Sequence, residues 1–135
     1  MIALDTNVLV RFVVEDEPRQ TAAAARLIEQ AVAADQPLFV SSIVFCEFVR
    51  VLSGSYRVSR VEIGQILAEL LRARHLAFEA ADQLARALEA FVKGKGDFAD
   101  YLILEQGRAA GCDAVATFDR ALLREDGFRA VATAM

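Results

Sequence analysis

Leu38-Phe39-Val40-Ser41-Ser42-Ile43-Val44-Phe45-Cys46-Glu47-Phe48 changes its period in the middle. The first three residues are apolar and too few for a helix, so they read as a short buried strand. Ser41 or Ser42 then caps a helix, because Ile43, Val44, Phe48, Val51 and Leu52 recur at helical spacing. Ser53-Gly54-Ser55 ends it.

The same grammar extends outward in both directions. Upstream, Ile2-Ala3-Leu4 reads as a strand and Val8 to Val14 as a short apolar helix. Asp16-Glu17-Pro18 starts an Ala-rich helix that runs through Leu27, Ile28 and Val32 to near Asp35. Downstream, Ser59 and Glu62 form a capping box for a helix to about Arg74, and Leu76-Ala77-Phe78 reads as a third strand. A helix from about Ala80 to Val92 carries Leu84, Leu88 and Phe91 on one face. Lys93-Gly94-Lys95-Gly96 reads as a flexible basic loop. Asp97 opens a helix that ends at Gly111, Ala114-Val115-Ala116 is a fourth strand, Asp119 to Arg124 a helical turn, and Phe128 to Val131 a weak last strand. Short apolar strands alternating with helices predict an α/β fold: a three-layer α/β/α sandwich with a central, mostly parallel, about five-stranded sheet, as a single domain over residues 1–135.

Composition agrees with one packed domain. The chain has 135 residues, 56% of them hydrophobic, with nine Phe and no Trp. Its 15 Lys and Arg against 19 Asp and Glu give a net charge of −4, which argues against coating nucleic acid by bulk charge. No apolar run exceeds four residues, and Met1-Ile2-Ala3-Leu4-Asp5 has no basic region or cleavage site, so a cytoplasmic protein without a membrane span is expected. Cys46 and Cys112 read as small buried hydrophobes. With two Cys and one His (His75), any metal site here must be built mainly from oxygen.

In a parallel sheet the strand C-termini share one edge, and ligands bind along it. Acids gather at such positions. Asp5 follows the first strand. Glu47 lies about one and a half turns past Ser42, roughly 7–8 Å along the helix axis at about 1.5 Å per residue. Asp97 and Asp100 share one face of a first turn, and Asp119 comes two residues after Thr117 at the end of the fourth strand. Each has a local alternative: Asp5, Asp97 and Asp119 as helix caps, Asp100 beside a helix dipole, Glu47 paired with Arg50. Capping alone does not require all of them on one edge. Clustered carboxylates repel and call for a cation, and oxygen ligands open to water suit Mg²⁺ or Mn²⁺. Thr6, Asn7, Ser42 and Thr117 stand beside these acids and could orient a carboxylate or a water. Arg50, Arg57, Arg60, Lys93 and Lys95 are scattered and could flank the edge. Gly94-Lys95-Gly96-Asp97 lacks the spacing of a phosphate loop. Phe12, Phe39, Phe45, Phe48, Phe78 and Phe91 fall at core spacing rather than forming a stacking platform.

Four stretches in order resemble the motifs of PIN domains: Leu4-Asp5-Thr6-Asn7-Val8, the Ser-Ser stretch ending at Glu47, Asp97-Phe98-Ala99-Asp100-Tyr101-Leu102-Ile103, and Ala116-Thr117-Phe118-Asp119. The stand-alone length resembles the VapC-type toxins of type II toxin–antitoxin pairs. That resemblance implies a Mg²⁺-dependent endoribonuclease, with Mn²⁺ able to substitute. Asp5, Glu47, Asp100 and Asp119 would carry the metal site and the catalysis, with Asp97 auxiliary, and RNA would be cut by a metal-activated water. It also implies a homodimer and a small antitoxin protein as partner. Tyr101 departs from the pattern, standing where a small residue is commoner, and this bears on pocket shape.

Two rival classes compete. A receiver-type switch would need an acidic pair after the first strand, a phosphoacceptor Asp after a central strand and a late Lys. The chain has Asp5 alone, Ser41-Ser42, and no Lys beyond Lys95. A phosphatase forming a phospho-aspartate would want Asp-x-Asp where Asp5-Thr6-Asn7 stands. A PIN-like scaffold that binds metal and a partner without cutting RNA keeps the fold, but leaves the full acid set unexplained.

Overall fold

In a computed structural model, residues 1–132 are described. Five strands are found there, each pairing parallel to its neighbour: β1 (Ile2–Ala3), β2 (Leu38–Val40), β3 (Leu76–Phe78), β4 (Val115–Thr117) and β5 (Phe128–Ala130). Six α-helices alternate with them: α1 (Thr6–Val13), α2 (Pro18–Ala33), α3 (Ser42–Gly54), α4 (Arg60–Leu71), α5 (Ala81–Lys93) and α6 (Phe98–Ala109). The α/β class expected from the sequence is the one observed. The ladders form two groups, β1-β2-β3 and β4-β5, and the chain clusters into two compact units that meet in sequence between Ala81 and Asp82.

In the first unit, β2 is the middle strand, with α1 and α2 on its connection to β1 and α3 and α4 on its connection to β3. Its helices start where capping residues dictate. Asp5 caps α1 and Ser41 caps α3, the latter accepting the N–H of Val44 at 3.2 Å. Glu17 caps α2 just ahead of Pro18, whose missing N–H costs nothing in a first turn. Ser59 caps α4 through the N–H of Glu62. That helix stops at Leu71 rather than near Arg74, and the Leu38 N–H donates to the carbonyl of His75 at 2.7 Å as β3 begins. Leu9, Val40, Phe45, Phe48, Leu52 and Leu67 are fully buried, and Phe45 meets Phe78 edge to face at 5.7 Å.

In the second unit, α5 buries Leu84, Ala87 and Phe91, and Phe91 stacks edge to face on Phe98 at 6.0 Å. Glu105 is a buried acid on α6, held by Arg86 at 3.2 Å and Arg108 at 2.8 Å. A short 3-10 turn, Leu122–Arg124, leads to β5. Gly127 precedes that strand at φ +94°, and a side chain there would also meet Leu104.

Two local expectations change. Cys112 is exposed, because it follows the end of α6 in a turn; Cys46 is half-buried on α3, where burial pushes its thiol up. Lys93-Gly94-Lys95-Gly96 is not free loop: a Cβ on Gly94 would overlap the Tyr101 hydroxyl and the Glu125 carboxylate, so glycine lets the backbone approach that pair.

Candidate acidic active site

The acids fall into one group in each unit. In the first, Asp5 is exposed and its Oδ1 accepts the N–H of Thr6 at 2.8 Å, fixing the carboxylate at the head of α1. Thr6 is buried, and its hydroxyl donates to Oε2 of Glu47 at 2.9 Å. Glu47 is an exposed acid between buried Phe45 and Phe48 on α3. Thr6 thus joins the two acids expected there, through its backbone to Asp5 and through its side chain to Glu47. Ser42 contributes differently: its backbone N–H donates to Oε1 of Glu79 at 2.8 Å. Asn7 lies apart from these bonds. It lines a groove of about 340 Å³ with Val8, Arg11 and Gln20.

In the second unit, Asp97 is the cap residue of α6, and its N–H donates to Oδ2 of Asp100 at 3.1 Å. Asp119 is exposed; its Oδ1 accepts from Ala121 at 2.9 Å and from Leu122 at 3.4 Å. Thr117 fixes the same turn by taking the Asp119 N–H at 3.0 Å. Asp100 is half-buried, and its carboxyl is held above the usual range. Burial is the main cause; the Asp97 N–H opposes it, and the charges of Asp97, Asp119 and Glu125 add to it. Carboxylates therefore crowd Asp100.

Local capping and a ligand role are compatible. The caps at Asp5 and Asp119 engage Oδ1, and a carboxylate has a second oxygen with its own lone pairs. The donors are all oxygen, as a hard divalent cation prefers, and the mutual repulsion around Asp100 is what such a cation would relieve. Among the described residues, no three His, Cys, Asp or Glu side chains form a group able to hold a metal ion.

Two acids escaped the sequence reading. Glu79 follows β3 directly and Asp5 follows β1 after Leu4, so the rule that selects one selects the other. Glu125 takes the hydroxyl of Tyr101 at 2.7 Å, while that hydroxyl accepts the N–H of Gly96 at 2.8 Å. A buried tyrosine needs a partner, which is the signal that points to an acid here.

The PIN domain family matches residues 2–127, and the chain belongs to that family. PIN domains are generally metal-dependent nucleases. A comparison with curated proteins returns no match. Among the described residues no helix is long and apolar enough to cross a membrane.

Proposed function

We propose that this chain is a divalent-metal-dependent endoribonuclease, the toxin component of a type II toxin–antitoxin pair. The observation that carries the nuclease reading is the paired arrangement of acids in a PIN-family chain: Asp5 and Glu47 joined through Thr6, and Asp100 crowded by Asp97 and Asp119. Asp5, Glu47, Asp100 and Asp119 would hold Mg²⁺, or Mn²⁺ in its place, with Asp97 auxiliary. Thr6 and Thr117 orient their neighbouring acids, and Ser42 fixes the start of the helix that carries Glu47. Asn7 would meet substrate or water. When bound, such an ion supplies electrostatic stabilisation of a phosphodiester oxygen and lowers the pKa of a water. The chain's own part is to hold several carboxylates at fixed positions against their repulsion, and to leave them open to a single-stranded substrate. The toxin role, the homodimer, the small antitoxin partner and the cytoplasmic setting are proposed from the likeness to VapC-type toxins in motif order.

The test is cleavage of total cellular RNA by the purified protein with Mn²⁺ or Mg²⁺. Discrete cuts that vanish with EDTA and in Asp5→Asn are expected. Cuts that persist in Asp5→Asn would belong to a contaminant and would refute the assignment.

A further inference from the structure

The parallel register puts Glu79 level with Asp5. Ala3 pairs with Phe39 and Phe39 with Ala77, so two residues further on Asp5, Ser41 and Glu79 share one height at the C-terminal edge of the sheet. With strands about 4.8 Å apart, the Asp5 and Glu79 backbones are about 10 Å apart, with Ser41 between them. The Glu79 N–H bonds the Val40 carbonyl at 3.0 Å, which carries the ladder one residue beyond β3 and fixes this otherwise exposed residue.

Its side chain reaches across the edge to α3. Glu79 Oε1 accepts the N–H of Ser42, the first residue of that helix, while the Ser41 hydroxyl takes the N–H of Val44. The two caps satisfy different donors of the same turn, so Glu79 adds a hold that Ser41 does not supply. One cap is local; the other comes from 37 residues away. The Ser42 N–H keeps the Glu79 carboxyl below the usual range, so it is charged at neutral pH and favours the positive end of the helix.

We infer that Glu79 is a positioning residue for the acidic site, clamping the first turn of α3 to the end of β3 and so fixing Glu47 against Thr6 and Asp5. Glu47 lies five residues beyond Ser42, a rise of about 7.5 Å, and its carboxylate meets Thr6 at the far end of that lever. Ser42, Glu47, Thr6 and Asp5 then form one connected path along the edge. The role rests on the nuclease reading above.

The experiment compares Glu79→Ala, Glu79→Asp and Glu79→Gln in the full chain by backbone amide NMR and by RNA cleavage kinetics. Gln keeps an acceptor at the same reach, whereas Asp keeps the charge but falls a methylene short. In Ala and Asp the Thr6 and Glu47 amide resonances should move and kcat should fall about tenfold with KM unchanged, a part of the loss that a full 1 Å misplacement produces. Gln should restore both. If Ala does not fold, Asp carries the comparison. Folded Ala or Asp variants with unmoved Thr6 and Glu47 resonances and full kcat overturn the positioning role alone, provided Asp5→Asn is inactive. Cleavage intact in Asp5→Asn overturns the nuclease reading and this role with it.

Discussion

Tyr101→Phe removes one oxygen from the second unit and leaves the ring in place. Tyr101 is 2% exposed, and its hydroxyl lies 2.7 Å from both oxygens of Glu125 and 2.8 Å from the Gly96 nitrogen. A hydrogen bond to a charged group contributes about 1.5–3 kcal/mol and a neutral one about 1 kcal/mol. Glu125 is half-exposed and recovers water when its donor goes, which places its loss at the low end. The Gly96 N–H loses this acceptor beneath the same ring. The net destabilisation is then about 2 kcal/mol. With a urea m-value of about 2 kcal/mol per molar for a chain of this size, the unfolding midpoint should drop by about 1 M with the slope unchanged. Urea titration followed by circular dichroism reads the midpoint, and amide exchange at Gly96 should speed up in parallel. A midpoint within about 0.2 M of the wild type would show that the hydroxyl bridge contributes nothing and refute the reasoning.

Three further outcomes are expected. Thr6→Val keeps the buried volume and removes the donor to Glu47; stability should fall by about 1 kcal/mol in thermal melts, and RNA cleavage should fall further than that loss explains. Asp100→Asn should abolish cleavage yet raise the Tm of the metal-free protein at pH 7. The folded carboxyl titrates above its unfolded value near 3.8, so wild-type stability declines as pH rises through the window above that value; the Asn variant escapes the decline, and its advantage should vanish below about pH 3.8. Equal Tm values at pH 7 would contradict the crowding around Asp100. Gly94→Ala should destabilise by about 1–3 kcal/mol in the same urea assay, because the new methyl has no room beside Tyr101 and Glu125.

Much of this architecture is local and therefore legible in the chain. Caps act over two or three residues, so Ser41, Ser59, Asp97 and the Glu17-Pro18 pair mark their helices correctly. β2 and β3 stand out because each is an apolar run too short for a helix, whereas β5 carries Arg129 at its centre and reads only weakly. What the sequence hides is pairing at long separation. Glu79 meets Ser42 across 37 residues and Tyr101 meets Glu125 across 24, and no periodicity encodes either. Tyr101 shows the difference plainly: as a departure from the family pattern it bears on pocket shape, whereas in three dimensions it ties Glu125 to the Gly94–Gly96 backbone. Asp5 and Asp119 resist a sequence-only decision for another reason. They are caps in fact, and a cap leaves a carboxylate oxygen for other work.

The central proposal is that this chain binds a divalent ion through its acids, with Asp5 and Asp100 among the ligands. Mn²⁺ titration of the wild type, Asp5→Asn and Asp100→Asn, followed by calorimetry or by the loss of the free-ion electron paramagnetic resonance signal, addresses it directly. Either single substitution should weaken Mn²⁺ binding by about 100-fold, since outer partners of metal ligands alone account for 10–100-fold. Wild-type affinity retained in either variant would remove that acid from the proposed ligands, and would contradict the account.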